Sequence, residues 1–297
     1  GPEAFTFVDD LVEMGQTLWQ ILPDNPTDEY HCPYSATSAF ANNPMLISLD
    51  NLIRDGWLNL NDVKSYPKTN FEKVDYPRFE KFKQDLLTKA AANFEETKKD
   101  NQKFDFENYC EKNQYWLNDY ALFCTIQNFL GEQQWIKWPK SFRTHQISAI
   151  EDVIEEHRDK INKIKIIQYL YDVQWKELKN YANSKGIKII GDIPIYVSYN
   201  SVDVWINQNL FKLDKYSKMC FQSGCPPDSF VKTNQLLKYF TIISTIIILM
   251  MFYRILEQTE TFVQNEQNDN DTEKSNQEIK LRRASPKKLY EHLTRLI

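Results

Sequence analysis

The chain has 297 residues, a formal net charge of −5, 42% hydrophobic and 26% charged residues. That length suits one α/β barrel of ~250 residues or two smaller domains, and the negative balance gives no electrostatic footprint for nucleic acid. Five cysteines, an odd number with no signal peptide ahead of them, point to a reducing compartment. Cys220 and Cys225 are too far apart for a C-x-x-C pair and no histidine stands close by, so no metal site is expected. The chain opens at Gly1 already inside a helix-like turn, which implies either a removed leader or a fragment.

Phe5, Val8, Leu11 and Val12 recur at helical spacing over residues 4–14, and Gly15 stops that helix. Residues 17–22 are a short apolar run stopped by Pro23 and read as a buried strand. Residues 24–43 form a loop rich in Pro, Asn, Asp and Ser. Residues 45–49 read as a second strand or a helix start, with Asp50 as N-cap of a short helix through Ile53. From 75 to 158 the periodicity is helical. Phe79, Phe82, Leu86, Ala90 and Phe94 mark one apolar face, and Phe106, Tyr109, Trp116, Tyr120, Phe123 and Phe129 a second, strongly aromatic one, broken by Trp135, Trp138 and Pro139. Aromatic faces stack on sugar rings, but this spacing reads first as the core of a helical subdomain.

Residues 161–182 are a further long helix, with Ile164, Ile167, Leu170, Tyr171, Trp175 and Leu178 inward. It stops at Gly186. The β-branched run that follows carries Asp192 at its end, just before Pro194. An acidic residue where a buried strand opens into a loop builds active sites in α/β barrels; the plainer reading is a turn cap, and the residues alone do not separate the two. Residues 239–256 are almost wholly apolar, at the short limit of the ~17–25 residues that span a bilayer, and Arg254 sits inside their end. They read either as a membrane anchor or as a non-native extension such as read-through into noncoding sequence. Residues 257–285 are polar and rich in Asn, Gln, Glu and Asp, a composition of disorder, and a last helical pattern runs over 286–297.

Taken in order, several segments resemble the 4-α-glucanotransferases, the amylomaltase or disproportionating-enzyme family (glycoside hydrolase family 77). They are Gly1-Pro-Glu-Ala-Phe5, Gly15-Gln-Thr-Leu-Trp-Gln-Ile-Leu-Pro23, Cys32-Pro-Tyr34 with Ser38-Ala-Phe40, and Asn43-Pro44. Tyr115-Trp-Leu-Asn-Asp-Tyr-Ala-Leu-Phe123, Trp135-Ile-Lys-Trp-Pro139 and Gln174-Trp-Lys-Glu-Leu-Lys179 follow. The strongest are Gly191-Asp-Ile-Pro-Ile-Tyr-Val197, residues 201–205 and Gly224-Cys-Pro-Pro-Asp228. Their order and spacing make the resemblance specific over residues 1–236.

The resemblance implies an α/β fold: a partial (β/α)₈ TIM barrel with a helical insertion at about 70–160, truncated before the catalytic strands. Residues 237–256 and the tail 257–297 fall outside it. Such an incomplete barrel leaves sheet edges unpaired, and poor folding in isolation is expected. The family passes a segment of an α-1,4-glucan to the 4-hydroxyl of glucose or another glucan with retention, through two carboxyl groups ~5–5.5 Å apart, and with no metal or organic cofactor. Its catalytic motifs lie beyond Gly224–Asp228, and residues 229–297 contain none of them, so no catalytic residue carries over and the chain alone is expected to be inactive.

What carries over is a partial substrate groove: Tyr34 beside the donor glucan, Asp192 at a barrel-strand end and Asp228 on a loop near the acceptor side. Asp203 and Trp205 are expected to hold the loop after the strand. The implied partners are α-1,4-glucans and maltooligosaccharides, in the cytoplasm or a plastid. Two departures stand out: Cys32 replaces the family's serine before Pro-Tyr, and Asp24 stands where an apolar residue is usual. The alternative is a non-catalytic, membrane-tethered glucan-binding or regulatory protein anchored by 239–256, in which Arg282-Arg-Ala-Ser285 would be a kinase motif, one short enough to belong to any solvated tail.

Overall fold

A proline in the first turn and the lack of any interior breaker let α1 (Pro2–Glu13) form in the computed structural model, which describes residues 1–64, 75–192 and 197–220 together with the backbone of short strands at 224–225, 235–236 and 239–240. Gly15 ends α1 at φ +70°. Its left-handed turn sends the Gly15 N–H to the Val12 carbonyl and the Gln16 N–H to the Leu11 carbonyl, each at 2.9 Å, so two of the last orphan carbonyls are satisfied.

The chain then enters β1 (Leu18–Gln20), which pairs in parallel with β2 (Lys188–Ile190), Trp19 standing opposite Ile189. Trp19 and Ile189 face inward onto Val8, Leu11, Ala182 and Ile187. The expectation that 17–22 is a buried strand therefore holds for one face only. Leu18 is 54% and Ile190 44% exposed, because among the described residues this sheet has two strands and helices pack on one side of it. Parallel sheets are ordinarily covered on both faces.

Between the two strands lies a helical layer. It comprises α2 (Leu49–Arg54), α3 (Leu60–Val63), α4 (Tyr76–Thr97), α5 (Asp100–Lys112), α6 (Gln114–Leu130), α7 (Lys140–Arg143), α8 (Ile147–Glu156) and the 27-residue α9 (Arg158–Ser184). Helix α2 is capped by Ser48, whose hydroxyl accepts the Asn51 N–H at 3.3 Å. Asp50 is not the cap: Ser48 takes the extended backbone that a cap requires, which puts Asp50 inside the first turn, where its charge suits the helix dipole.

The aromatic faces are core. Phe94, Phe106, Tyr109 and Tyr169 interlock with centroids 5.5–5.8 Å apart, and Phe123, Trp138 and Trp205 form a second knot at 5.2–5.5 Å. The three most deeply buried indoles donate to backbone carbonyls, Trp135 to Tyr199 at 2.7 Å, Trp138 to Glu132 at 2.9 Å and Trp205 to Phe142 at 3.0 Å. Phe129 departs from this pattern at 46% exposed.

Helix α9 is the spine, packing on α1, α4, α5, α6, α8 and β2. From it Gln168 reaches Asn42, accepting its N–H and donating to its carbonyl, both at 2.9 Å. Two turns on, Gln174 does the same for Ser48, at 2.7 and 3.1 Å. Beyond β2 come β3 (Val197–Ser198) and α10 (Val202–Ile206). Two antiparallel pairs complete the description: β4 (Gly224–Cys225) with β5 (Gln235–Leu236), and β3 with β6 (Tyr239–Phe240). The first two residues of the apolar run expected over 239–256 form β6. The rest of it and the tail 257–297 lie outside the described residues. Among the described residues no helix is long and apolar enough to cross a membrane.

Lys83 on α4 is buried, and its Nζ donates to the Met45 carbonyl at 2.5 Å. Desolvation lowers this ammonium to about 8. Because the folded state holds its proton less tightly than the unfolded chain, stability rises with pH between the two values. The parent is expected to gain roughly 3 kcal/mol relative to Lys83→Met between pH 7 and 10.5, measured by denaturant unfolding across that range.

Candidate functional site

The residues after β1 make a loop whose form is set by a single bridge, Thr27 to Ala36. Inside it the Asp28 N–H reaches the Ser35 carbonyl at 3.1 Å, the His31 N–H the Asp28 carbonyl at 3.0 Å, and the Ser35 N–H the Cys32 carbonyl at 3.0 Å. The Asp28 carboxylate closes the turn by accepting the Tyr30 N–H at 3.0 Å and the Ser35 hydroxyl, a short polar side chain standing in for missing ladder partners. His31 is held in the left-handed region at φ +55°. Its ring stacks on Tyr76 at 3.8 Å, and its Nδ1 lies 3.3 Å from Glu80.

This turn presents Tyr34, 42% exposed. Its hydroxyl donates to Oδ2 of Asp192 at 2.7 Å. Asp192 stands two residues past the C-terminal end of β2 and is exposed. The hydrogen bond to Asp192 raises the Tyr34 phenol above its ordinary value, with smaller contributions from burial and the carboxylate's charge. In this bond the phenol donates and the Asp192 side chain accepts. Together they offer an aromatic face beside polar groups that meet solvent. Such an arrangement can bind a polyhydroxylated ligand by stacking and hydrogen bonding; a retaining hydrolytic or transfer pair would instead need two carboxyl groups ~5–5.5 Å apart.

The loop is fastened to the chain that follows Asp192. The Ser198 N–H donates to the Ala36 carbonyl at 3.2 Å and the Val202 N–H to the Thr37 carbonyl at 2.9 Å. The Ala39 N–H donates to Oδ2 of Asp203 at 2.9 Å. Asp203 lies in the first turn of α10 behind the Ser201 cap. Burial pushes its carboxyl up to about 6, and the bonds from the Ala39 amide and its own amide oppose that rise. Trp205 is fully buried in the aromatic knot.

Asp24, the residue of unexpected type after Leu-Pro, is matched by Tyr171 of α9, whose hydroxyl donates to it at 2.7 Å. Cys32 is half-buried in the turn, two residues before Tyr34. Asp228 lies outside the described residues. A cavity of about 560 Å³ lies behind the loop, lined largely by apolar side chains such as Trp19, Leu22, Pro33, Phe79 and Trp175, and neither Tyr34 nor Asp192 lines it. Among the described residues no three His, Cys, Asp or Glu side chains come together as a metal site would require. The partners of Asp203, Tyr171 and Gln168 are not legible in the sequence, since each tie joins positions more than a hundred residues apart; the signals present were Asp24 as a residue out of pattern, Tyr171 on the inward face of its helix, and the expectation that Asp203 holds the loop after the strand.

The family profile described as 4-alpha-glucanotransferase matches residues 1–238. The 4-alpha-glucanotransferase of Aquifex aeolicus is 37% identical over 239 residues, covering 80% of this chain and 47% of that protein. That of Clostridium butyricum is 40% identical over 241 residues, covering 80% and 48%. Amylomaltase from Streptococcus agalactiae, solved in complex with acarbose, superimposes with a TM-score of 0.77 at 34% identity, over 82% of this chain and 49% of that one. The chain spans about half the length of the curated relatives it matches.

Asp203 carries a testable pH dependence. Its folded-state value of about 6 exceeds the model-peptide value of 3.8, so the folded state binds the proton more tightly and stability falls as pH rises between the two. The parent is expected to lose about 2 kcal/mol relative to Asp203→Asn between pH 4 and pH 7, measured by urea unfolding of both proteins.

Proposed function

The chain belongs to the 4-alpha-glucanotransferase family, and we propose that it contributes one wall of a groove for α-1,4-glucans and maltooligosaccharides. The observation that carries this reading is the exposed Tyr34–Asp192 hydrogen bond at the C-terminal end of β2. Ligand sites of α/β barrels gather at that end of the strands. The acarbose held by the S. agalactiae amylomaltase supports a saccharide ligand for the related surface. The Tyr34 ring would lie against a glucose unit and the Asp192 carboxylate would accept hydroxyl hydrogens. Asp228 is proposed to serve the acceptor side of the same groove.

The parallel β1–β2 pair backed by α9 is consistent with the first part of a (β/α)₈ barrel, in which residues 1–236 would supply the early strands and the helices over about 70–160 an insertion between them. The family reaction, as the resemblance implies it, is a retaining transfer through a covalent glycosyl-enzyme, which requires a nucleophilic carboxylate and a second carboxyl as acid and base. No residue of this chain is assigned either role. Its own contribution is orientation of the glucan and exclusion of misaligned chains.

The direct test is calorimetric titration of the purified chain with acarbose and with maltoheptaose. Saturable binding is expected, weakened about tenfold by Tyr34→Ala and by Asp192→Ala, the worth of a lost stacking contact or a lost hydrogen bond to a charged group. Absence of binding in a folded preparation overturns the groove. Incubation with maltotriose is expected to leave the sugar unchanged, and glucose appearing together with longer maltodextrins would show that this polypeptide catalyses transfer by itself.

A further inference from the structure

We infer that Asp203 is a positioning residue for the Tyr34–Asp192 pair, acting as a buried latch that holds the two strand-end loops at the separation the pair requires. The inference deepens the glucan-groove reading above and rests on it for its functional consequence, though not for its geometry.

Tyr34 and Asp192 are both exposed, and both stand on irregular backbone beyond the ends of β1 and β2. A contact between two exposed groups on irregular backbone lasts only if both segments are held from behind, since otherwise the ordering entropy of two loops outweighs one solvent-exposed hydrogen bond. The fixing occurs on the buried side. Residues 36–39 follow Tyr34 directly, and residues 198–203 follow Asp192 after six positions. Three bonds join these stretches: Ser198 to Ala36, Val202 to Thr37, and Ala39 to Asp203. Two are backbone pairs that many sequences could make. The third uses a buried carboxylate, bonded to Ala39 and flanked in the chain by Val202 and Val204, all of them buried as well. Taking a carboxylate out of water is costly unless it is hydrogen-bonded, and here the bond it makes is to the main chain of the Tyr34 loop. An apolar residue at 203 would leave the Ala39 N–H with its acceptor removed. The residues behind the reacting surface thus set its geometry, as second-layer partners orient ligands in other sites.

The test follows the Tyr34 phenol, which a merely structural role for Asp203 would not move. With tyrosine labelled at Cζ with ¹³C and Tyr34 assigned by loss of its signal in Tyr34→Phe, the phenol of the parent is expected to titrate above the ordinary range. In Asp203→Ala it is expected to return toward that range, with acarbose affinity falling about tenfold, the factor for one lost hydrogen bond to a charged group. Asp203→Asn keeps an oxygen acceptor of the same reach and is expected to restore both the titration and the affinity to within about threefold of the parent.

An unchanged Tyr34 titration in folded Asp203→Ala overturns the inference. So does an Asn variant that fails as fully as Ala while melting like the parent. Hydrogen exchange of the Ala39 amide in the parent serves if the Ala variant does not fold: protection is expected, and exchange as fast as in the exposed Tyr30 turn overturns the latch. If Tyr34 responds to Asp203 while acarbose does not bind the parent, the latch stands and the glucan-groove reading fails.

Discussion

The requirement that buried backbone polar groups find partners governs this structure more than any single apolar contact. The segment between β1 and α2 is too irregular to satisfy itself. Its solution is a set of long polar side chains sent from elements far away in sequence. Gln168 and Gln174, six residues apart on α9, each behave like one rung of a β-ladder, accepting an N–H and donating to the carbonyl of the same residue. Asn25 adds an internal tie to the Ala41 carbonyl at 3.0 Å. Because α9 also feeds β2, the helix that clamps the Tyr34 loop is the helix that places Asp192. One rigid element therefore registers both partners of an exposed hydrogen bond.

This explains why the two buried charges of the region differ in purpose. Lys83 donates to one carbonyl at the end of the loop, and its desolvation is a net cost that the surrounding core tolerates. Asp203 is as deeply buried, yet it bridges two segments and is met by two amides. A buried charge met by main-chain amides specifies a loop position in a way apolar packing does not, since hydrophobic contact is non-directional while a charge-assisted hydrogen bond tolerates little displacement.

The helices were legible in the sequence because their signal is local. The apolar spacing of α4, α6 and α9 named Leu86, Ala90, Phe94, Trp116, Tyr120, Phe123, Ile167, Leu170 and Tyr171, all buried, and passed over buried neighbours such as Leu87, Leu117, Ile126 and Ile166; the glycine stops at Gly15 and Gly186 fall at φ +70° and +82°. Asp192 was legible as a strand-end carboxylate, and the resemblance singled out Tyr34, but nothing local in either residue says that they touch. Their contact spans 158 positions, and periodicity carries no information at that range. The same reason hid the partners of Gln168 and Tyr171, which read as ordinary helical residues, and the partner of Asp203, which was expected to hold the loop after the strand but not to reach Ala39. The misreadings were also physical. Strand β1 looked buried because Leu18 and Leu22 are apolar, but apolar composition states what a residue can bury, not whether a neighbouring layer is present to cover it. Asp50 looked like a cap because caps favour short polar residues, and Ser48, two positions earlier, satisfies the same preference with the required extended backbone.

The exposed face of the β1–β2 sheet bears on how much the site can do. The register sets Leu18 beside Lys188 and Gln20 beside Ile190, so this face is half apolar and half polar, while the opposite face is sealed by Val8, Leu11 and Ala182. Tyr34 and Asp192 project from the end of this sheet, and their geometry depends on the sealed side, through α9 and the bonds to residues 198–203. The Tyr34 loop is thus tied from behind to residues 198–203 and to α9, while the other face of the β1–β2 pair stays exposed at Leu18 and Ile190. Recognition and chemistry separate here. Tyr34 and Asp192 meet on segments whose main chain is completed by side chains sent from α9 and α10, whereas a retaining glycosyl transfer requires a pair of carboxyl groups ~5–5.5 Å apart.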